Sequence, residues 1–228
     1  MISRADALRH VLERVAPLSP VEVEVASAAG LVLAEDVTAS RPVPPFANTA
    51  MDGIAVRAAD THHGAVLRLV GTVAAGDSGA IEVGRGQAVR IMTGAPVPPG
   101  ADAVVMVELC TFEGSGADET VTVASDVPVG NHIRPVGDDI AAGSVVLSAG
   151  SLISPGAIAL LRTVGRGTVR AHPRPRVGVM STGDELVEPP AELGPGQIYD
   201  SNRAALVGSR ERLHRPRDRR RARQAGDA

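Results

Sequence analysis

Only three aromatic side chains, Phe46, Phe112 and Tyr199, occur in 228 residues, and there is no tryptophan. A core must therefore be assembled from Val, Leu, Ile and Ala, and a platform of rings for stacking nucleic-acid bases is excluded. The 25 glycines and 17 prolines mark many turns, as short strands require. With 44% apolar and 21% charged residues, the composition suits a soluble globular protein of one or two domains.

Every one of the 23 basic residues is arginine, and eight of them lie within 209–228. The remaining body, 1–208, carries 15 Arg against 23 acids. So acidic a body is a poor partner for nucleic acid. The Arg-rich tail needs only nonspecific phosphate contacts to bind it, and that reading ranks last. Cys110 stands alone, so neither an internal disulfide nor a paired-cysteine zinc site is available, and a cytoplasmic location is expected. No apolar run reaches the length of a membrane span, and Met1 to His10 lacks the apolar stretch of a signal peptide.

Leu8, Val11, Leu12 and Val15 recur at helical spacing after a Ser3/Asp6 capping pair, which predicts a helix stopped by Pro17. Val21 to Val25 alternates apolar and acidic residues, a half-buried strand. Residues 64–147 read as β-rich, with strands over Val66–Val73, Gln87–Met92, Ala103–Glu108, Thr120–Ala124 and Ser144–Leu147 in a small sandwich or barrel. Ser154-Pro155 predicts a capped helix, and Gly167 to Ala171 a short strand. Past the boundary at Pro173–Pro175, Val177–Met180 reads as the first strand of a buried parallel sheet, and Asp200–Asn202 as the cap of a helix near Arg203.

Two turns share a pattern: Thr93-Gly94-Ala95-Pro96 and Ser181-Thr182-Gly183-Asp184-Glu185 each follow an apolar strand with a hydroxyl residue and a glycine. Such a turn can present backbone N–H groups and a hydroxyl to an anion, and it can equally be structural only. Carboxylates stand beside glycines at Asp52-Gly53, Gly137-Asp138-Asp139 and Gly183-Asp184-Glu185. If they converged they would suit Mg²⁺; separately each is ordinary turn chemistry. His62-His63 reads as exposed, and Cys110 as a small core residue at the end of an apolar strand.

Five stretches, taken in order, carry a resemblance: Pro45 to Gly53 (PFANTAMDG), Met92 to Asp102 (MTGAPVPPGAD), Arg134 to Ile140 (RPVGDDI), Ser181 to Leu186 (STGDEL) and Gly196 to Asn202 (GQIYDSN). Together, over about residues 1–207, they resemble the molybdopterin molybdenumtransferase family, that of MoeA and the gephyrin E domain. The resemblance implies insertion of molybdate into adenylylated molybdopterin with release of AMP, a divalent cation such as Mg²⁺, and molybdopterin adenylyltransferase as the upstream enzyme. It implies a mixed α/β and β fold of several domains in a homodimer, with no nucleic-acid or membrane partner. Residues 1–19 would be a helix packing on the α/β domain, 20–42 with 140–172 an extended β/α domain, and 43–139 an inserted β-rich domain. Residues 173–208 would begin the parallel-sheet, molybdopterin-binding α/β domain.

Carried over position by position, the resemblance assigns Asp52, Thr93, Asp139 and Glu185 to catalysis. Ser181, Thr182, Gly183 and Asp184 would position the phosphate or pterin, and Asp52, Asp139 and Glu185 would hold the cation. The family's cleft lies between the α/β domain of one subunit and the inserted domain of the other. The chain departs from the family after about residue 208, before the family's Gly-Gly-Val-Ser-Val-Gly and Lys-Pro-Gly-Lys types of motif. The Arg-rich 209–228 is expected to be an out-of-frame, disordered tail on a C-terminally truncated chain. The alternative function is a non-catalytic dimerising or scaffold fragment of the same family.

Overall fold

The computed structural model describes residues 2–213. In chain order the elements begin with helix α1 (Arg4–Leu12) and strands β1 (Val21–Glu24), β2 (Val32–Leu33), β3 (Val37–Thr38), β4 (Asn48–Thr49) and β5 (Gly53–Val56). Strands β6 (Ala65–Val73), β7 (Gln87–Ile91), β8 (Ala103–Met106), β9 (Cys110–Glu113) and β10 (Thr120–Val123) follow. The last are β11 (Ile133–Arg134), β12 (Val145–Leu147), helix α2 (Pro155–Thr163), β13 (Thr168–His172), β14 (Leu186–Val187), β15 (Ile198–Tyr199) and helix α3 (Ser201–Leu213). The chain divides into two compact units, Met1–Val37 with Leu147–Ala228, and Thr38–Val146.

The unit Thr38–Val146 is built on one six-stranded sheet in the order β8-β5-β7-β6-β10-β9. Its pairs are antiparallel except β6 with β7, which run parallel. Along β6, Ala65, Leu67 and Leu69 are buried while Val66 and Arg68 face out, the period of two that a pleated strand imposes. Ile54, Val56, Leu67, Val105, Val121 and Val123 belong to one apolar cluster. Because residues from well-separated strands share that cluster, the sheet curls upon itself. Ala55, Val73, Val89, Ile91 and Val104 form a second cluster on the other face. Two buried faces explain why β5, β7 and β8 are apolar almost throughout. Four of the expected strands lie in this single curled sheet, and the fifth, found as Val145–Leu147, pairs with β3 in a separate two-stranded sheet.

Ala103–Glu108 stops at Met106, where the chain enters a short 3-10 turn, Val107–Leu109. Cys110 therefore opens β9 instead of ending β8. It is half-buried, its Sγ donates to the Met106 carbonyl at 3.3 Å, and burial pushes its thiol pKa up to about 11 against the opposing pull of Arg90.

In the other unit, β13 lies between β1 and β2, antiparallel to both. Helix α2 buries Ala157 and Leu161, and Ser154 Oγ accepts from the Ala157 N–H at 3.1 Å, the predicted cap. Ser3 Oγ caps α1 in the same way through Asp6 N–H. None of α1 is buried, however, and Leu8, Val11 and Leu12 remain exposed. Helical spacing settles the helix; a covering surface is a separate matter. Val177–Met180, expected as a strand, forms no ladder, and Val177 and Met180 are exposed. A strand buried on both faces needs neighbours on each edge, and the described residues that follow supply only the two-residue parallel ladder β14–β15. Asp200 Oδ1 accepts from the Arg203 N–H at 3.0 Å and caps α3, as predicted. That helix reaches Leu213, so it takes in the first residues of the expected tail; 214–228 lie outside the described residues. Among the described residues no helix is long and apolar enough to cross a membrane.

Candidate functional site

Asp52 ends the turn that leads into β5, and Thr93 follows β7, the antiparallel neighbour in which Ile91 faces Gly53. Gly53, next to Asp52, lets β5 lie close against β8, because a Cβ there would collide with the carbonyl oxygen of Val105. The outcome is a two-point contact. Asp52 Oδ1 accepts the Thr93 N–H at 2.7 Å and the Thr93 hydroxyl at 2.7 Å. The Thr93 N–H, and then its hydroxyl, hold the Asp52 carboxyl below the usual carboxylate range, outweighing a small opposing effect of burial. The pair is exposed, and Asp52 Oδ2 has no protein donor among the described residues.

The donors of this turn are spent internally. Gly94 N–H goes to the Thr49 carbonyl at 2.9 Å, Ala95 N–H to the Met92 carbonyl at 2.9 Å, and Thr93 donates twice to Asp52. The turn is therefore not an amide cradle for an anion. It presents an ionised acceptor instead.

The similar turn at Ser181–Glu185 behaves differently. Leu186 N–H closes it on the Gly183 carbonyl at 3.2 Å, and Ile198 N–H reaches the Glu185 carbonyl at 2.7 Å. The N–H groups of Ser181, Thr182, Gly183, Asp184 and Glu185 have no acceptor among the described residues. Gly183 has φ +153, and a Cβ on it would stand 2.5 Å from Glu185 Oε2, so glycine is what lets the Glu185 carboxylate fold back over the turn. Ser181 and Gly183 border a cavity of about 270 Å³ together with Asp200 and Arg203. Arg203 is ion-paired with Glu188, and with Asp200 at 3.3 Å. Unpaired amides of this kind suit an anionic group, while the charge of Arg203 is taken up by the two carboxylates.

Asp139 belongs to the same unit as Asp52 but to a different cluster. The Arg134 guanidinium bridges Asp139 at 2.6 Å and Asp138 at 3.3 Å, and these carboxylates, Asp139 first, hold its pKa above the ordinary arginine value. An exposed pair of this kind stabilises the fold little, because water screens it. Arg134 stands opposite Asn48 in the β4–β11 ladder. Asn48 is more than nine-tenths buried, and its Oδ1 has no hydrogen-bond partner among the described residues. An unpaired buried acceptor costs about 1–3 kcal/mol.

No group of three or more His, Cys, Asp or Glu side chains among the described residues could hold a metal ion. Asp52 offers one open oxygen, and Asp139 is taken up by Arg134. Asp52 and Asp139, in one unit, do not by themselves make up a Mg²⁺ site.

Residues 2–165 match the family model described as MoeA N-terminal region (domain I and II). The chain belongs to the MoeA family. Molybdopterin molybdenumtransferase 2 of Mycobacterium tuberculosis is 40% identical to it over 206 residues, 88% of this chain and 50% of that protein. The molybdopterin molybdenumtransferase of Haemophilus influenzae is 39% identical over 216 residues, 94% of this chain and 52% of that one. A solved molybdopterin biosynthesis MoeA protein from Pyrococcus horikoshii is similar in fold, with a TM-score of 0.82 and 33% identity over 92% of this chain and 57% of that one. The chain spans about half the length of the curated relatives it matches.

Within this MoeA-family chain, then, Asp52 and Thr93 are brought together, while Ser181 to Glu185 belong to the other unit. Sequence reasoning assigned no part to Asn48, Arg134 or Arg203. Arg134, four residues before Asp138, carried a local signal, since that spacing around a glycine turn brings opposite charges together. Asn48 carried none, because its burial is tertiary.

Proposed function

We propose that this chain is the N-terminal part of a molybdopterin molybdenumtransferase, working in molybdenum cofactor biosynthesis by inserting molybdate into adenylylated molybdopterin and releasing AMP. The observation that carries the reading is the contrast between the two turns. One holds Asp52 with an open oxygen, and the other leaves backbone amides unpaired for an anion. A phosphoanhydride substrate needs both: donors to orient its phosphates, and a fixed carboxylate that takes a hydrogen bond or orders an attacking group. In this reading Ser181 to Asp184 position the phosphate or pterin, Thr93 fixes Asp52, and Glu185 works at the edge of the amide turn.

A second subunit belongs to the proposal, since the family's cleft pairs the α/β domain of one chain with the inserted domain of the other. Molybdopterin adenylyltransferase would supply the substrate. Mg²⁺ enters only as an ion that paired subunits would assemble, and no step is derived through it.

The test is AMP release from adenylylated molybdopterin with molybdate and Mg²⁺ present. Glu185→Ala should abolish it; retained turnover would contradict the part given to Glu185. The second reading, a non-catalytic dimerising fragment, draws on the exposed Leu8, Val11 and Leu12 of α1. It predicts a stable dimer in sedimentation that releases no AMP.

A further inference from the structure

Asn48 and Arg134 are directly opposed across the antiparallel β4–β11 ladder. Opposed residues project from the same face with Cβ atoms about 4.5–5.5 Å apart, so a guanidinium reaches its neighbour's amide. Arg134 has five N–H donors, of which Nε and one terminal nitrogen are engaged with Asp138 and Asp139. Asn48 Oδ1 is a buried acceptor that receives nothing from the described residues. The ladder thus faces a donor-rich cation toward an unfilled acceptor.

We propose that Asn48 is a positioning residue for Arg134. Its Oδ1 is a second resting place for the guanidinium, occupied when Arg134 leaves Asp139. The Asp139 carboxylate then alternates between ion-paired and free. This rests on the transferase reading together with the catalytic part that the family resemblance assigns to Asp139, because a carboxylate held by arginine serves neither as ligand nor as base. The exchange trades a screened, exposed ion pair for a satisfied buried acceptor, so the two arrangements lie close in free energy. Nothing else among the described residues fills the Asn48 acceptor.

The experiment follows the Arg134 Nε–H by ¹⁵N relaxation-dispersion NMR in the full chain, without substrate. The unmodified chain should show exchange between two environments. Asn48→Leu should cut the minor state about tenfold, the factor that one lost charge-assisted hydrogen bond implies. Asn48→Asp should draw the guanidinium onto position 48, seen as a shifted resonance and as an ion pair in a crystal structure. Should Asn48→Leu not fold, the unmodified chain and Asn48→Asp still decide the matter. Identical Arg134 signals in all folded chains would overturn the proposal. So would an ordered water on Asn48 Oδ1 with Arg134 still on Asp139. Because no molybdate or pterin enters the measurement, its failure is distinct from failure of the transferase reading, which AMP release reports.

Discussion

Asp52 Oδ1 takes two hydrogen bonds from one residue, the backbone N–H and the hydroxyl of Thr93, each at 2.7 Å. Forty-one positions separate the two residues along the chain. The pairing of β5 with β7 closes that gap and sets the end of one strand against the start of the other. One carboxylate oxygen is thereby immobilised, and the second is left open in a known direction.

Thr93→Val keeps the backbone bond and deletes the hydroxyl. The Asp52 carboxyl should then titrate higher than in the unmodified chain yet stay below the ordinary aspartate value, because the larger cause survives. Since the folded-state value is depressed, the stabilisation it gives is present above the ordinary aspartate range and is lost as pH falls through the folded value. The substitution makes that loss smaller and moves it to higher pH. Carboxyl ¹³C NMR reads the shift directly; an unchanged Asp52 titration would remove the hydroxyl from the account.

Gly53→Ala forces a methyl group into the Val105 carbonyl of the neighbouring strand, where rigid backbone has to give. The expected cost is about 3 kcal/mol or more, and Asp52, one residue away, should lose its Thr93 contact. Urea denaturation measures the first effect. If the midpoint does not move, β5 and β8 do not approach as closely as described.

Leu161 and Leu8 test the difference between a buried and an uncovered apolar face. Leu161→Ala opens a cavity under α2 and should cost about 3 kcal/mol. Leu8→Ser, on the exposed stripe of α1, should change stability by no more than about 0.5 kcal/mol. A Leu8→Ser loss as large as that of Leu161→Ala would mean that α1 is covered in solution.

Much of the local architecture was legible beforehand. Ser3, Ser154 and Asp200 announced their helices because a cap is a short-range hydrogen bond between residues three apart. Most strands of the central sheet were legible from their apolar runs and the Gly and Pro turns between them, but β9 was not, because Cys110–Glu113 carries no apolar run of its own. The two hydroxyl-glycine turns, by contrast, looked equivalent. They differ because Asp52, Thr49 and Met92 absorb the donors of the first, and among the described residues nothing absorbs those of the second.

By itself the sequence determined that the capped helices form, which strand faces alternate, and which family the chain resembles; these depend on neighbours a few residues apart and on ordered motifs. Tertiary structure alone decided that Asp52 is gripped by Thr93, that Arg134 occupies Asp139, that Asn48 is buried with an unfilled oxygen, and that the apolar stripe of α1 is left uncovered. Those facts depend on which distant segments pack together, and a hydrogen bond or a buried face exists only once its partner has arrived.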